Sequence, residues 1–215
     1  MKNSKIILTT IISLLTLATN AQAENTSGLY IGVDALRSFV SHKYLAENIP
    51  DADVGVNGYG THKENSGFGI NTGYNIAIGR SFIAPEIFYE HLNNSAREFG
   101  YEEYPQIAGN RLKVDNRYGA KINLGYNLFA GLNIFANASL ANVKYSEGLY
   151  SIGRGQSKTA TFVAVYGGGL SYNLSKHWQI KASYDWQQFN ARYDYAFEKD
   201  RILIQTVKFG VAYKF

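Results

Sequence analysis

Apolar and polar side chains alternate every second residue along most of the chain. A Tyr-Asn pair recurs at 74–75, 126–127 and 172–173, and the stretches between alternating segments are short and long by turns. These three observations predict an all-β fold, an eight-stranded antiparallel up-and-down transmembrane β-barrel.

The first 23 residues are set apart before any strand is placed. Lys2 and Lys5 open the chain, Ile6 to Leu17 form an apolar run, and Ala21-Gln22-Ala23 supplies a small-x-small cleavage site. That is the layout of a secretory signal peptide over 1–23, with the barrel domain expected over 24–215. Loss of the two lysines lowers the formal charge from +4 to +2. So mild a balance, without a dense Lys/Arg run, argues against a nucleic-acid partner. An exported chain with no Cys cannot rely on disulfides and needs another way to close itself.

Eight segments then follow. Leu29, Ile31, Val33 and Ala35 alternate with Tyr30, Gly32, Asp34 and Leu36. Phe68, Ile70, Thr72 and Tyr74 share one face of the second, and Ile83, Pro85, Ile87 and Tyr89 that of the third. The fourth is the clearest: Leu112, Val114, Asn116, Tyr118, Ala120, Ile122, Leu124 and Tyr126 oppose Lys113, Asp115, Arg117, Gly119, Lys121, Asn123 and Gly125. A helix would scatter these residues around its surface, whereas a strand sorts them onto two faces. Leu132 to Leu140, Phe162 to Tyr172, Trp178 to Trp186 and Val207 to Phe215 repeat the pattern. Tight turns are expected at 75–79, 127–131 and 173–177, with long polar connections over 38–65, 93–110, 146–157 and 190–201.

Alternation alone does not say which face points inward, but the aromatics and the charges do. Tyr74, Tyr126, Tyr172 and Tyr213 carry the apolar face towards the short turns, at the level where amphipathic rings suit a membrane interface. The opposite face mixes acids, bases and glycines, which suits the crowded interior of an eight-stranded barrel. Equal heights above the turns place Glu86 beside Lys121 and Glu90 beside Arg117, and Asp34 is expected to meet Lys208 across the closing seam. Buried charges need such partners.

The final "KFGVAYKF", with Lys208, Gly210, Tyr213 and Phe215, resembles the insertion signal that the assembly machinery of bacterial outer-membrane barrels reads. With the leader and the eight segments, residues 24–215 resemble the small OmpA/OmpX-like outer-membrane barrel family. The resemblance implies a bacterial outer-membrane location, partners in outer-membrane lipid, lipopolysaccharide and the barrel-assembly machinery, and a kinship with porin-like surface antigens and adhesins.

No catalytic constellation emerges. His42, His62, His91 and His177 lack metal-ligand spacing, and His91 with Ser95 is a weak hydrolase-like pair without supporting context. "GRGQSKT" at 153–159 lacks the order of a phosphate-binding loop. No enzyme activity, metal or cofactor is expected. Function is expected in the long connections, where Tyr44, Tyr59, Phe99, Tyr101 and Tyr104 stand among charges that suit contact with a host surface protein. The alternatives are a structural envelope barrel without a ligand, a narrow pore and a lipid-modifying enzyme.

Overall fold

A computed structural model describes residues 27–43, 62–97, 110–129, 131–149, 157–192 and 199–215. The expected leader (1–23) and Tyr44, Tyr59, Phe99, Tyr101 and Tyr104 lie outside them. Eight antiparallel strands follow in chain order: β1 (Gly28–Lys43), β2 (His62–Ile78), β3 (Ser81–Arg97), β4 (Asn110–Phe129), β5 (Leu132–Leu149), β6 (Ser157–Asn173), β7 (Trp178–Arg192) and β8 (Lys199–Lys214). Each pairs with its neighbours in sequence, and β1 pairs with β8, so the sheet closes into a barrel.

The short connections are built from local chemistry. Gly79, at φ 58°, is the first residue of the two-residue turn between Ile78 and Ser81, a position that needs a backbone open to positive φ. The Arg80 guanidinium reaches across to the next turn, donating to the carbonyls of Asn127 (3.2 Å) and Leu128. The recurring Tyr-Asn pair works on both faces. Tyr74 and Tyr126 point outward, while Asn75 and Asn173 turn inward and are buried. Asn173 accepts from Gln179 (2.9 Å) and Lys214 (3.2 Å), closing the floor of the lumen with hydrogen bonds.

Near the short turns the outer face is apolar in every strand. Val33, Ile70, Ile87, Leu124, Leu140, Tyr166, Tyr184 and Phe209 are all exposed there. The strands are longer than a crossing needs. At 15 to 20 residues each, and tilted as barrel strands are, they reach roughly 40–50 Å along the axis, against an apolar band of about 25 Å. Much of what the sequence assigns to long connections is therefore strand, including residues 38–43 and 62–65.

Polarity inverts where the strands leave the band. Outward positions become Arg37, Glu64, Lys144 and Gln188, and Arg37 pairs with Glu64 on the surface. Inward positions become Leu36, Val40, Leu92, Val114, Val143, Tyr145, Val163, Phe189, Ile202 and Ile204, which pack as one buried cluster. Val114, which strict alternation puts on the outer face, is almost fully buried. The cause is a bulge: Val114 pairs with Tyr145 but Asn116 with Lys144, so Asp115 is an extra residue that reverses the phase of β4 above it.

The pairing changes at the same height. β2 and β3 pair only up to Phe68 with His91, and β6 and β7 only up to Val165 with Gln187, while the other ladders continue. Above these points the barrel divides into two four-stranded sheets, β3-β4-β5-β6 and β7-β8-β1-β2. Each contributes five residues to the apolar cluster, and Tyr145 meets Phe189 across it at 5.7 Å between ring centroids. The outer half is thus a sandwich standing on a barrel.

An arginine in place of Ile87, inside the band, is expected to lower the unfolding free energy in lipid by about 2–4 kcal/mol. The same change at Gln188, on the outer face but above the band, is expected to cost no more than about 0.5 kcal/mol. Urea titration of the two variants refolded in bilayers measures the difference.

Candidate functional site

Inside the band the lumen holds a belt of ionisable side chains in two layers. In the lower layer, Glu86 lies opposite Lys121 in the β3–β4 register and meets its ammonium at 3.2 Å. Tyr30 donates its hydroxyl to Glu86 at 2.9 Å, and Lys181 sits 3.6 Å from both Glu86 and Asp34. Asn71 donates to Asp34 at 2.6 Å.

In the upper layer, Glu90 accepts from Arg117 (Nε, 2.8 Å) and is bridged by Lys208. Asp185 meets Lys208 at 2.5 Å and Arg117 at 3.6 Å. Gln187 and Asn137 supply further hydrogen bonds, from Arg117 (2.5 Å) and to Asp185 (3.3 Å). Phe88 separates the layers, its ring centroid 4.8 Å from the Lys121 ammonium and 5.7 Å from that of Lys208.

The belt's formal charge cancels: Asp34, Glu86, Glu90 and Asp185 balance Arg117, Lys121, Lys181 and Lys208. Arg117 is 0% exposed and Lys208 1%. Glycines make room where the belt is tightest; a side chain at Gly210 would strike the Asp34 carboxylate. Below the belt, Tyr30, Phe82, Ala84, Ala212 and Phe135 narrow the lumen to a cavity of about 40 Å³, a space for waters. Above it sits the apolar core of the sandwich. Three successive layers of packed side chains fill the axis.

The sequence matches the family described as outer membrane protein beta-barrel domain over residues 9–215. The chain belongs to the bacterial outer-membrane β-barrel family. Among solved structures, Neisserial surface protein A is similar over 88% of this chain and 99% of its own, at 14% identity and a TM-score of 0.53. OprG from Pseudomonas aeruginosa is similar over 90% of this chain and 98% of its own, at 10% identity and 0.52. Ail of Yersinia pestis, solved with the heparin analogue sucrose octasulfate, is similar over 87% of this chain and 99% of its own, at 14% identity and 0.50. No curated protein sequence matches. At such identities the likeness is one of fold.

Outer-membrane barrels turn their apolar band to lipid, with short turns on the periplasmic side and longer connections outside, which for this family member puts the sandwich outside the cell. The Glu86–Lys121 and Glu90–Arg117 contacts form at the heights that counting from the turns indicates. The expected Asp34–Lys208 contact does not form: across the seam Asp34 lies opposite Gly210 and Lys208 opposite Leu36, so Lys208 reaches over the lumen to Glu90 on β3 and sideways to Asp185 on the neighbouring β7 instead. Strand stagger at the closure, which no local pattern encodes, moves the two apart. Lys181, Asp185 and Gln187 are belt members that pairing by height missed, although their alternation on β7 with Ile180, Tyr184 and Trp186 marks them as inward.

The remaining candidates have structural surroundings. Tyr213 stacks on His177 (5.6 Å) and meets Trp178 and Phe215 edge-on, each at 5.2 Å, an aromatic cluster at the periplasmic interface. His91 is hydrogen-bonded to Asn116 at 2.8 Å, and the Ser95 side chain lies outside the described residues.

Lys208→Met leaves Glu90 and Asp185 sharing Arg117 and is expected to destabilise the barrel by about 3–5 kcal/mol. Adding Glu90→Gln, which restores charge balance, is expected to recover at least half of that loss. Unfolding midpoints of the single and double variants in one detergent test the belt as a neutral unit.

Proposed function

We propose that the protein is a surface recognition barrel whose parts outside the membrane contact host or envelope molecules. The observation that carries this reading is the sandwich. Ordered strands continue well past the band and hold a core of their own, while the axis below is filled with packed side chains. A transport role would spend chain length on a lumen, whereas this chain spends it on an external platform. Rigid scaffolds that present variable connections are a common basis for binding. The connections 44–61 and 98–109, with Tyr44, Tyr59, Phe99, Tyr101 and Tyr104, supply the aromatic and charged side chains that protein interfaces favour. Lipopolysaccharide is a second surface within their reach.

A variant with 44–61 and 98–109 shortened is expected to fold as a heat-modifiable barrel and to lose most adherence to host cells when displayed on bacteria. Full adherence by that variant contradicts the reading. The same proposal treats Lys208, Gly210, Tyr213 and Phe215 as the segment recognised by the assembly machinery. Phe215→Ala is expected to lower the yield of membrane-inserted protein several-fold while leaving spontaneous refolding in detergent intact, as pulse-chase fractionation and refolding yields measure.

A further inference from the structure

Among the described residues, Lys214 is the buried lumenal cation that the charge belt leaves out. It follows Lys208, Gly210 and Ala212 on the inward face of β8 and is only 7% exposed. Both of its backbone groups are held by His177: the His177 carbonyl accepts the Lys214 N–H at 2.7 Å, and His177 Nδ1 donates to the Lys214 carbonyl at 2.9 Å. The ammonium makes one hydrogen bond, to Asn173 Oδ1 at 3.2 Å, and forms no ion pair with a described residue. The belt's four carboxylates already balance Arg117, Lys121, Lys181 and Lys208. Below the sandwich the lumen therefore carries one positive charge in excess.

That charge sits beside a space. The cavity of about 40 Å³ is lined from below by Lys214, Asn133 and Gln179, and from above by Lys181 and Glu86. Glu86 is already held by Lys121, Lys181 and Tyr30, so the carboxylate at the roof does not compensate Lys214. The walls offer donors in surplus. Ser171 Oγ accepts from Gln179 at 3.2 Å and from Asn133 at 3.4 Å, which fills both lone pairs and leaves its O–H without an acceptor among the described residues. Asn173 Oδ1 is likewise taken twice, by Gln179 and Lys214. An ammonium has three N–H groups, and two of those on Lys214 are unmatched. Water can answer the hydrogen bonds, but it does not cancel a buried charge.

We propose that this cavity is a binding site for one small monovalent anion of chloride size, held by the Lys214 ammonium and the Ser171 hydroxyl. The volume sets the class: about 40 Å³ takes an ion comparable to a water molecule with a little water beside it, and excludes a sugar acid or a phosphate ester. Glu86 at the roof sets the charge, since a doubly charged ion would bring surplus negative charge next to a carboxylate. The belt and the apolar core fill the axis above, so entry is from the periplasmic end, past Asn173 and Lys214. With the anion in place, the formal charge of the lumen below the sandwich is zero. The site is independent of the surface-recognition reading, which concerns the opposite end of the barrel.

The test uses the full barrel refolded in a non-ionic detergent, with chloride as the probe. Chloride NMR line broadening is measured against empty micelles in a gluconate background. Expected is saturable broadening that formate, an anion of similar size, displaces and that gluconate and sulfate do not. Lys214→Met, which keeps an unbranched side chain without its charge, is expected to remove the saturable part. Ser171→Ala is expected to weaken chloride binding several-fold, and Lys176→Met, at an exposed cation of the neighbouring turn, to change nothing. Unfolding midpoints supply a reading that a merely structural Lys214 would not give. The native barrel gains stability as chloride replaces gluconate at constant ionic strength. Lys214→Met is indifferent to chloride, and in gluconate alone it melts no lower than the native protein, because it no longer buries an unpaired charge. Absence of saturable broadening, displacement by gluconate or sulfate as effective as by formate, or a full chloride response in Lys214→Met overturns the proposal. Should Lys214→Met fail to refold, formate competition on the native barrel and the Ser171→Ala affinity decide, and equal chloride affinity with and without the hydroxyl overturns it.

Discussion

Hydrocarbon offers neither hydrogen bonds nor solvation for charge, and the architecture follows from that. Within the band each strand must be paired on both sides, so the sheet closes without an edge. Within the same band each ionised side chain must face away from lipid and find a counter-charge. Four acids and four bases meet in the lumen of the barrel, and the aromatic ring of Phe88 is shared between two of the cations. Closure and charge belt are two answers to one solvent, and closure takes the place of the disulfides this Cys-free chain lacks.

The same constraint explains what happens where it lapses. Once the strands enter water, backbone groups can hydrate and the ring no longer has to stay complete, so β2 parts from β3 and β6 from β7. The hydrophobic effect now drives apolar groups inward. Leu36 and Val40 continue the inward face that holds Tyr30 and Asp34 lower on β1, and Arg37 continues the outward face that holds Val33. One strand thus reads apolar-out below and apolar-in above, with its two-residue period unbroken. An outer half with its own core provides a firm base for recognition without any opening through the membrane.

Much of this was legible in the residues. The two-residue period survives burial, exposure and inversion, because it reflects backbone geometry rather than environment, and it located all eight strands. Heights counted from tight turns sufficed for Glu86 with Lys121 and Glu90 with Arg117, because those pairs lie on neighbouring strands whose lower ends are level, Asn127 donating its backbone N–H to the Arg80 carbonyl. Lys208 escaped the same logic, since Glu90 lies across the lumen from it and Asp185, on the neighbouring β7, sits opposite Thr206, positions that depend on stagger around the ring. Val114 escaped because the bulge at Asp115 carries no Gly or Pro to announce it. The sandwich escaped for a different reason: an apolar inward residue such as Val143 looks, in sequence alone, like a lipid-facing residue out of phase. The place where the alternation changes sign was the available signal.

The chain's two tryptophans test the orientation of the barrel most directly. Trp178 and Trp186 lie on the outer face of β7 at the two ends of the apolar band. In single-tryptophan variants reconstituted into bilayers of lipids brominated at defined depths, both emissions should be strongly quenched by bromine, each most by label near its own interface, and hardly by aqueous acrylamide. Tryptophans indifferent to lipid bromine, or quenched chiefly from water, would mean that the apolar face does not meet the membrane.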